Sequence, residues 1–281
     1  DRDCFVGSLL AMTVFGYFFY SLILWPYMFK KVSSLLDRLL ILDYTDRIML
    51  KERQKNILEA VIREYIRTAK PIASTDLAGE LDFEVSPATV RSEMLKLDEL
   101  GYLEQPHTSA GRVPTDRGYR FFVDYAMDAV VPERSERNVI HELFAHDTIE
   151  DFTRECSRTI SHLARAFIAI GVDDDVRIDR GFTEILDEPE FQDINHIKQF
   201  GKVIDLLDED IQSFVEDEDE KILIGGENPM KEAQAYTMMI THWSHPKGFN
   251  GFLALVGPRR MDYQKNISLI RYINSLYESD E

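Results

Sequence analysis

The chain has 281 residues, 44% of them apolar, and a net charge of -18. That length suits about two packed domains. Its two cysteines, Cys4 and Cys156, match no metal or redox spacing, which excludes a disulfide scaffold and points to a reducing compartment. The charge is unevenly spread. Residues 1–48 carry five basic and five acidic side chains, residues 49–127 carry 11 and 13, and residues 128–281 carry 16 and 32. The acidity belongs to the C-terminal part. Nucleic-acid binding depends on a local patch, so the near-neutral middle segment leaves that function open.

Taken in chain order, the first feature is Cys4 to Phe29, 26 residues without a charge, followed by Lys30-Lys31. Such a run is a transmembrane candidate whose lysines set its C-terminal end in the cytoplasm. The other reading is a start placed too far upstream, because Met49 directly precedes the first well-formed globular helix. Both readings stay open, and residues 1–48 are set apart as an apolar extension.

From Leu50 to about Thr68, Ile57, Leu58, Val61, Ile62, Tyr65 and Ile66 recur at spacings of three and four, which predicts an amphipathic helix. Pro71 ends it. Ser74 reads as the N-cap of a short helix, Thr75 to about Leu81, with Asp76 near its positive end. After a turn over Asp82–Val85, Ser86 caps a third helix with Pro87 at its first position. Val90, Met94, Leu97 and Leu100 form that helix's buried stripe, and Gly101 stops it. Two short strands follow, about Tyr102–Gln105 and Arg112–Pro114, joined by the loop HTSAG. A closing helix runs from about Thr115 to Val130 and carries Tyr119, Phe121, Phe122 and Tyr125. Helix, short helix, turn, helix, hairpin and helix make a winged helix-turn-helix over residues 49–130.

Pro132 and a run of charges mark a linker into a second domain, residues 131–281. Val139 to about Ala169 reads as one helix with Ile160, Leu163, Ala164 and Phe167 on its apolar face. Gly171–Arg180 reads as charged and irregular, and Phe191 to about Val215 as helix. The acidic runs Asp208-Glu209-Asp210 and Glu216–Glu220 read as solvated surface. Strands are expected at Lys221–Ile224, Tyr236–Thr241 and Gly251–Val256, and a last helix at Tyr263–Tyr277. Helices around a small sheet make this domain α+β.

The candidate binding residues lie in two places. On the third helix, Ser86, Ala88, Thr89, Arg91 and Ser92 occupy the solvent side near the N-terminus. The short side chains let the backbone approach base edges, and Arg91 can pair with guanine O6 and N7. At the wing, His107, Thr108, Ser109, Gly111 and Arg112 can rest on phosphates, with Gly111 supplying a conformation other residues avoid. His107 also reads as a hydrogen-bonded turn residue. An enzyme is not expected. His141 and His146 lie on different helix faces, and His242 and His245 have no cysteine or acidic partner nearby in sequence. No P-loop, G-x-S-x-G or dinucleotide fingerprint is present, so no catalytic residue, metal ligand or cofactor is assigned. The turn Gly225-Gly226-Glu227-Asn228-Pro229 is either a tight connection or the lining of a small-molecule pocket.

The run from Leu103 to Asp116, LEQPHTSAGRVPTD, with Gly118-Tyr119-Arg120 after it, resembles the HrcA family of heat-inducible transcription repressors. So do SPATVRSEMLKLDEL at 86–100, Glu188-Pro189-Glu190-Phe191, Ile224–Pro229 and Val256–Tyr263. The resemblance covers about Met49 to Tyr277. It implies a mainly α, α+β protein: a winged helix followed by a GAF-like dimerisation domain, here incomplete, because the chain has only the short charged run after Gly171 where the family has a β-rich stretch and an insertion. It further implies a homodimeric, cytoplasmic repressor of chaperone operons that binds double-stranded DNA at an inverted repeat, loses activity on heating and is kept folded by the chaperonin GroEL. The alternatives are a regulator tethered to the inner membrane through residues 4–29, and a ligand sensor acting through the GAF-like domain.

Overall fold

The computed structural model describes residues 50–77, 79, 85–126, 130–172, 176–215 and 220–276. The apolar run at 4–29, most of the turn at 82–85 and most of the acidic run at 216–220 lie outside them. Among the described residues no helix is long and apolar enough to cross a membrane.

Helix α1 (Glu52–Thr68) buries Ile57, Leu58, Val61 and Ile62, while Tyr65 and Ile66, the last two members of the stripe its spacing predicts, are half-buried. Helix α2 (Ser74–Leu77) is a single turn. Ser74 is its first residue rather than its cap, and Asp76 reaches back to accept from the Ala73 N–H at 3.2 Å. Helix α3 (Pro87–Glu99) is capped by Ser86, whose Oγ accepts from the Thr89 N–H at 3.2 Å. It buries Val90, Met94 and Leu97, but Leu100 is only half-buried; Glu93 joins the stripe instead. Gly101 ends it with φ +78°, a left-handed turn that favours glycine.

The wing is an antiparallel pair, β1 (Leu103–Glu104) and β2 (Val113–Pro114), shorter than expected. A third segment joins it, because Ile72 and Arg112 exchange backbone hydrogen bonds of 2.9 and 2.8 Å. Helix α4 (Asp116–Phe121) is capped by Thr115 and opens into a π-helical turn at Phe122–Ala126, so the α-helix is far shorter than a run to Val130.

The second domain departs further from expectation. The helix expected from Val139 to Ala169 is two helices and a strand: α5 (Arg134–Leu143), α6 (Ile149–Ala164) and β3 (Phe167–Val172). The segment expected to be irregular pairs back on β3 as β4 (Val176–Arg180). After α7 (Phe182–Leu186), a 3-10 turn at Pro189–Gln192 and α8 (Ile194–Val215) come β5 (Lys221–Ile224), β6 (Tyr236–Ser244), β7 (Asn250–Pro258) and α9 (Tyr263–Ser275). Among the described residues the sheet therefore has five strands, not three, in the order β4-β3-β7-β6-β5, all antiparallel.

The sheet is the middle of three layers. Phe167 and Ala169 of β3, Met238 and Ile240 of β6, and Phe252 and Ala254 of β7 pack against Ile185, Phe191, Phe200 and Val203 on one face. On the other face lie α6 and α9, where Trp243 meets Phe152 with ring centroids 4.7 Å apart and Thr237 meets the Tyr263 hydroxyl at 2.8 Å. Each fully buried large apolar side chain is worth about 1.5–3 kcal/mol. From Arg53 onward, winged helix and sheet domain pack as one unit.

Candidate nucleic-acid interface

Helix α3 has two faces. Val90, Glu93, Met94 and Leu97 point into the domain, while Ala88, Arg91, Ser92, Leu95, Lys96 and Glu99 are exposed. Glu93 is the polar member of the buried face. Its carboxylate accepts from Arg53 of α1 at 2.5 Å and from Lys96 at 3.2 Å. Burial pushes the Glu93 pKa up, but the two cations outweigh it and hold the carboxyl below its usual range. The result is an ionic brace that fixes the roll of α3 against α1.

Of the five candidate residues on this helix, Ala88, Arg91 and Ser92 stand together on the open face. Ser86 and Thr89 are neighbours at the N-terminus, with hydroxyls 2.9 Å apart. Their first duty is capping. The same helix end presents backbone N–H groups where a phosphate binds well.

The wing tip is open: His107, Thr108 and Ser109 are exposed, and the Ala110 N–H donates to the His107 carbonyl at 3.0 Å. The left-handed residue in the loop is Ser109, φ +75°, not Gly111. Gly111 is required for space. A Cβ there would lie 2.4 Å from the Ile72 carbonyl oxygen, because two backbones cross at that point.

Arg112 differs most from expectation. Its Nε lies 2.6 Å from Asp98 Oδ2 of α3, and the side chain is 13% exposed. The guanidinium is thus committed to the root of the wing rather than offered to phosphate. Thr115 closes the same root by donating to the Gly101 carbonyl at 2.6 Å, and Arg117 donates to the Leu100 carbonyl at 2.6 Å. Helix α3 and the wing are therefore tied together at three points.

Sequence reasoning missed a second assembly. Just behind the wing, Arg120 of α4 grips Glu227 with two nitrogens, one at 2.9 Å, and its Nη2 donates to the Ile222 carbonyl at 2.5 Å. Asp116 accepts from the Gly226 N–H at 2.9 Å and from Arg259 at 2.8 Å. Tyr119 meets Tyr263 with the rings tilted by 37° and centroids 5.5 Å apart. Arg260 is clamped by Glu190 and Glu188, both at 2.6 Å, and donates to the Ile66 carbonyl of α1 at 3.2 Å. The 224–229 turn is held by the buried Asn228, whose Nδ2 donates to the carbonyls of Gly225 and Tyr236 at 3.0 and 3.1 Å. Four of the five signature segments picked out in the sequence, all but 86–100, thus converge on one junction between winged helix and sheet. The arginines and carboxylates of these segments were legible in the sequence, but which pairs with which was not.

A cleft of about 660 Å³ opens beside this junction, lined by Arg63, Arg67, Arg165, Arg260 and Lys265. Each of these cations already has a carboxylate: Glu59, Glu64, Glu188, Glu188 with Glu190, and Glu136. It is not a preformed anion site. Cys156 is buried, and burial pushes its thiol up to about 12, so it is no nucleophile. Among the described residues no cluster of His, Cys, Asp and Glu has the makings of a metal site.

Two family models match. One, described as the winged helix-turn-helix DNA-binding domain of the transcription repressor HrcA, covers residues 49–125; the other, the HrcA protein C terminal domain, covers residues 131–267. A heat-inducible transcription repressor HrcA from Carboxydothermus hydrogenoformans is 43% identical over 119 residues, which span 42% of this chain and 35% of that relative. The HrcA of Thermoanaerobacter sp. is 27% identical over 325 aligned positions, covering 79% of this chain and 94% of the relative. That alignment is longer than the chain itself, so the relative has positions with no counterpart here. A crystal structure of a hypothetical protein superimposes with a TM-score of 0.67 at 17% identity, covering 81% of this chain and 97% of the other, which shows the shared fold. With both of its domains matched, the chain belongs to the HrcA family.

Proposed function

We propose that this chain is a sequence-specific DNA-binding repressor of chaperone operons. It acts by binding rather than by catalysis. The observation that carries this reading is the pairing of an open helix face, Ala88, Arg91 and Ser92, with a wing rooted on the same helix through Arg112 and Asp98. A helix so presented fits the major groove, and a wing beside it reaches the neighbouring backbone. The names of the matched relatives support the repressor role.

A near-neutral winged helix attracts DNA weakly, so a second copy held at fixed separation on an inverted repeat supplies the missing affinity. The proposed state is therefore a homodimer, held through residues 131–281, which form a shortened GAF-like domain. The gapped alignment with the Thermoanaerobacter relative supports the shortening. Cytoplasmic location follows from the DNA partner, and assistance from the chaperonin GroEL follows from the family.

The test is a titration of the full chain against duplexes enriched from a random pool and against scrambled duplexes at fixed salt. The reading requires enrichment of a two-fold symmetric sequence and at least about 1,000-fold preference over scrambled DNA. Equal binding to both would refute it.

A further inference from the structure

We infer that Leu95 is a specificity-determining residue that reads the methyl group of one thymine in each half-site. The inference deepens the groove reading of helix α3 and rests on it.

Leu95 is 45% exposed, and among the described residues from Leu50 to Ala126 it is the one large apolar side chain left open; the others, Val130, Val131, Val139, Phe182 and Ile194, lie further along the chain. A single exposed leucine on a surface helix needs no explanation of its own. Its position supplies the reason here. It lies seven residues after Ala88, four after Arg91 and three after Ser92, so all four share one face. The buried residues Val90, Met94 and Leu97 take the opposite face. At about 1.5 Å per residue, Leu95 sits some 10 Å along the helix from Ala88, about three base-pair steps.

In the major groove almost every edge is a donor or an acceptor. The exception is the C5-methyl group of thymine. A leucine side chain packs on that methyl, but against cytosine or guanine it leaves polar atoms without partners. Arg91 supplies the hydrogen-bonding contact and Leu95 the apolar one, a division that separates a thymine from a cytosine at the same position. Lys96, next to it and paired to Glu93 at 3.2 Å, is placed to follow the backbone rather than the bases.

The experiment uses the full chain and the duplex it enriches most strongly from a random pool. Each thymine of one half-site is replaced in turn by deoxyuridine, which deletes only the methyl group. At one position the wild-type chain should lose about 4-fold in affinity, the worth of one buried methyl. Leu95→Ala should bind the thymine and deoxyuridine duplexes equally, with an unchanged salt slope and unchanged thermal stability, since the residue is exposed and alanine suits a helix. Indifference of the wild type at every thymine, or the same loss in Leu95→Ala, would overturn this inference alone. A chain that enriches no sequence would overturn the groove reading and this inference with it.

Discussion

Arg112, at the root of the wing, is paired with Asp98 of helix α3, Nε to Oδ2 2.6 Å, although strand β1 and the wing loop lie between them in the chain. The pair sets the angle between the two parts of the surface. Arg112→Ala and Asp98→Asn should therefore weaken binding to the enriched duplex by a similar factor, about 5- to 30-fold for 1–2 kcal/mol. The salt slope should stay the same for both, because no phosphate contact is lost. A drop of about one in the slope for Arg112→Ala alone would show that the guanidinium turns outward to the backbone.

Arg91 stands on the open face and should behave in the opposite way. Arg91→Ala should cost about 1–3 kcal/mol on the enriched duplex and relax preference at a single base pair. Binding to scrambled DNA should change little. Equal losses on both duplexes would mean that Arg91 touches phosphate only.

The Arg120–Glu227 contact is open to the same kind of dissection. Its two side chains are 24% and 35% exposed, so solvent screens part of the charge. Arg120→Ala should cost about 2 kcal/mol of folding stability, since it also abandons the Ile222 carbonyl, and Glu227→Gln about 1 kcal/mol. In urea titrations of the single and double variants, the double loss should fall short of the sum by about 0.5–1 kcal/mol. Strict additivity would deny the coupling.

His245 gives a pH dependence with a definite sign. Its ring is stacked on Phe249 with centroids 4.1 Å apart and lies edge-on to Phe152. Burial lowers its pKa below the ordinary 6.5, and the charge of His146 lowers it further. The unfolded chain then binds the proton more readily. The contribution of this residue to stability is full above pH 6.5 and is lost as pH falls from there through the folded value. The urea midpoint of the wild type should fall between pH 7.5 and pH 5.5 by more than that of His245→Gln. Parallel behaviour of the two proteins would remove His245 from the account.

The legible parts of this chain are those where local pattern and tertiary setting agree. Ser86-Pro87 announced the start of α3, and the apolar spacing of α1 announced its buried face. Strand β3 was hidden for a physical reason. Phe167 to Val172 are buried on both sides of the sheet, so the period of two that marks a half-exposed strand is absent. The break before α6 carried a usable signal, Thr148 with Asp151 three residues on, and Thr148 does accept from the Asp151 N–H at 3.2 Å. The exposed face of α3, with Ala88, Arg91 and Ser92, was legible from helix arithmetic. The fate of Arg112 was not, because an arginine in a loop looks the same whether its partner is a phosphate or an aspartate two elements away.

The junction of Asp116, Tyr119 and Arg120 with the sheet domain bears on how the protein melts. Tyr119 is 2% exposed, and its ring meets that of Tyr263 from the other domain. Separating the domains would expose an aromatic core residue, part Asp116 from Arg259 and the Gly226 N–H, and leave Arg120 with Asp124 in place of Glu227. Unfolding is then cooperative across both domains, and calorimetry should record a single endotherm whose van't Hoff and calorimetric enthalpies agree. A temperature high enough to loosen the sheet should therefore disorder helix α3 and the wing in the same event.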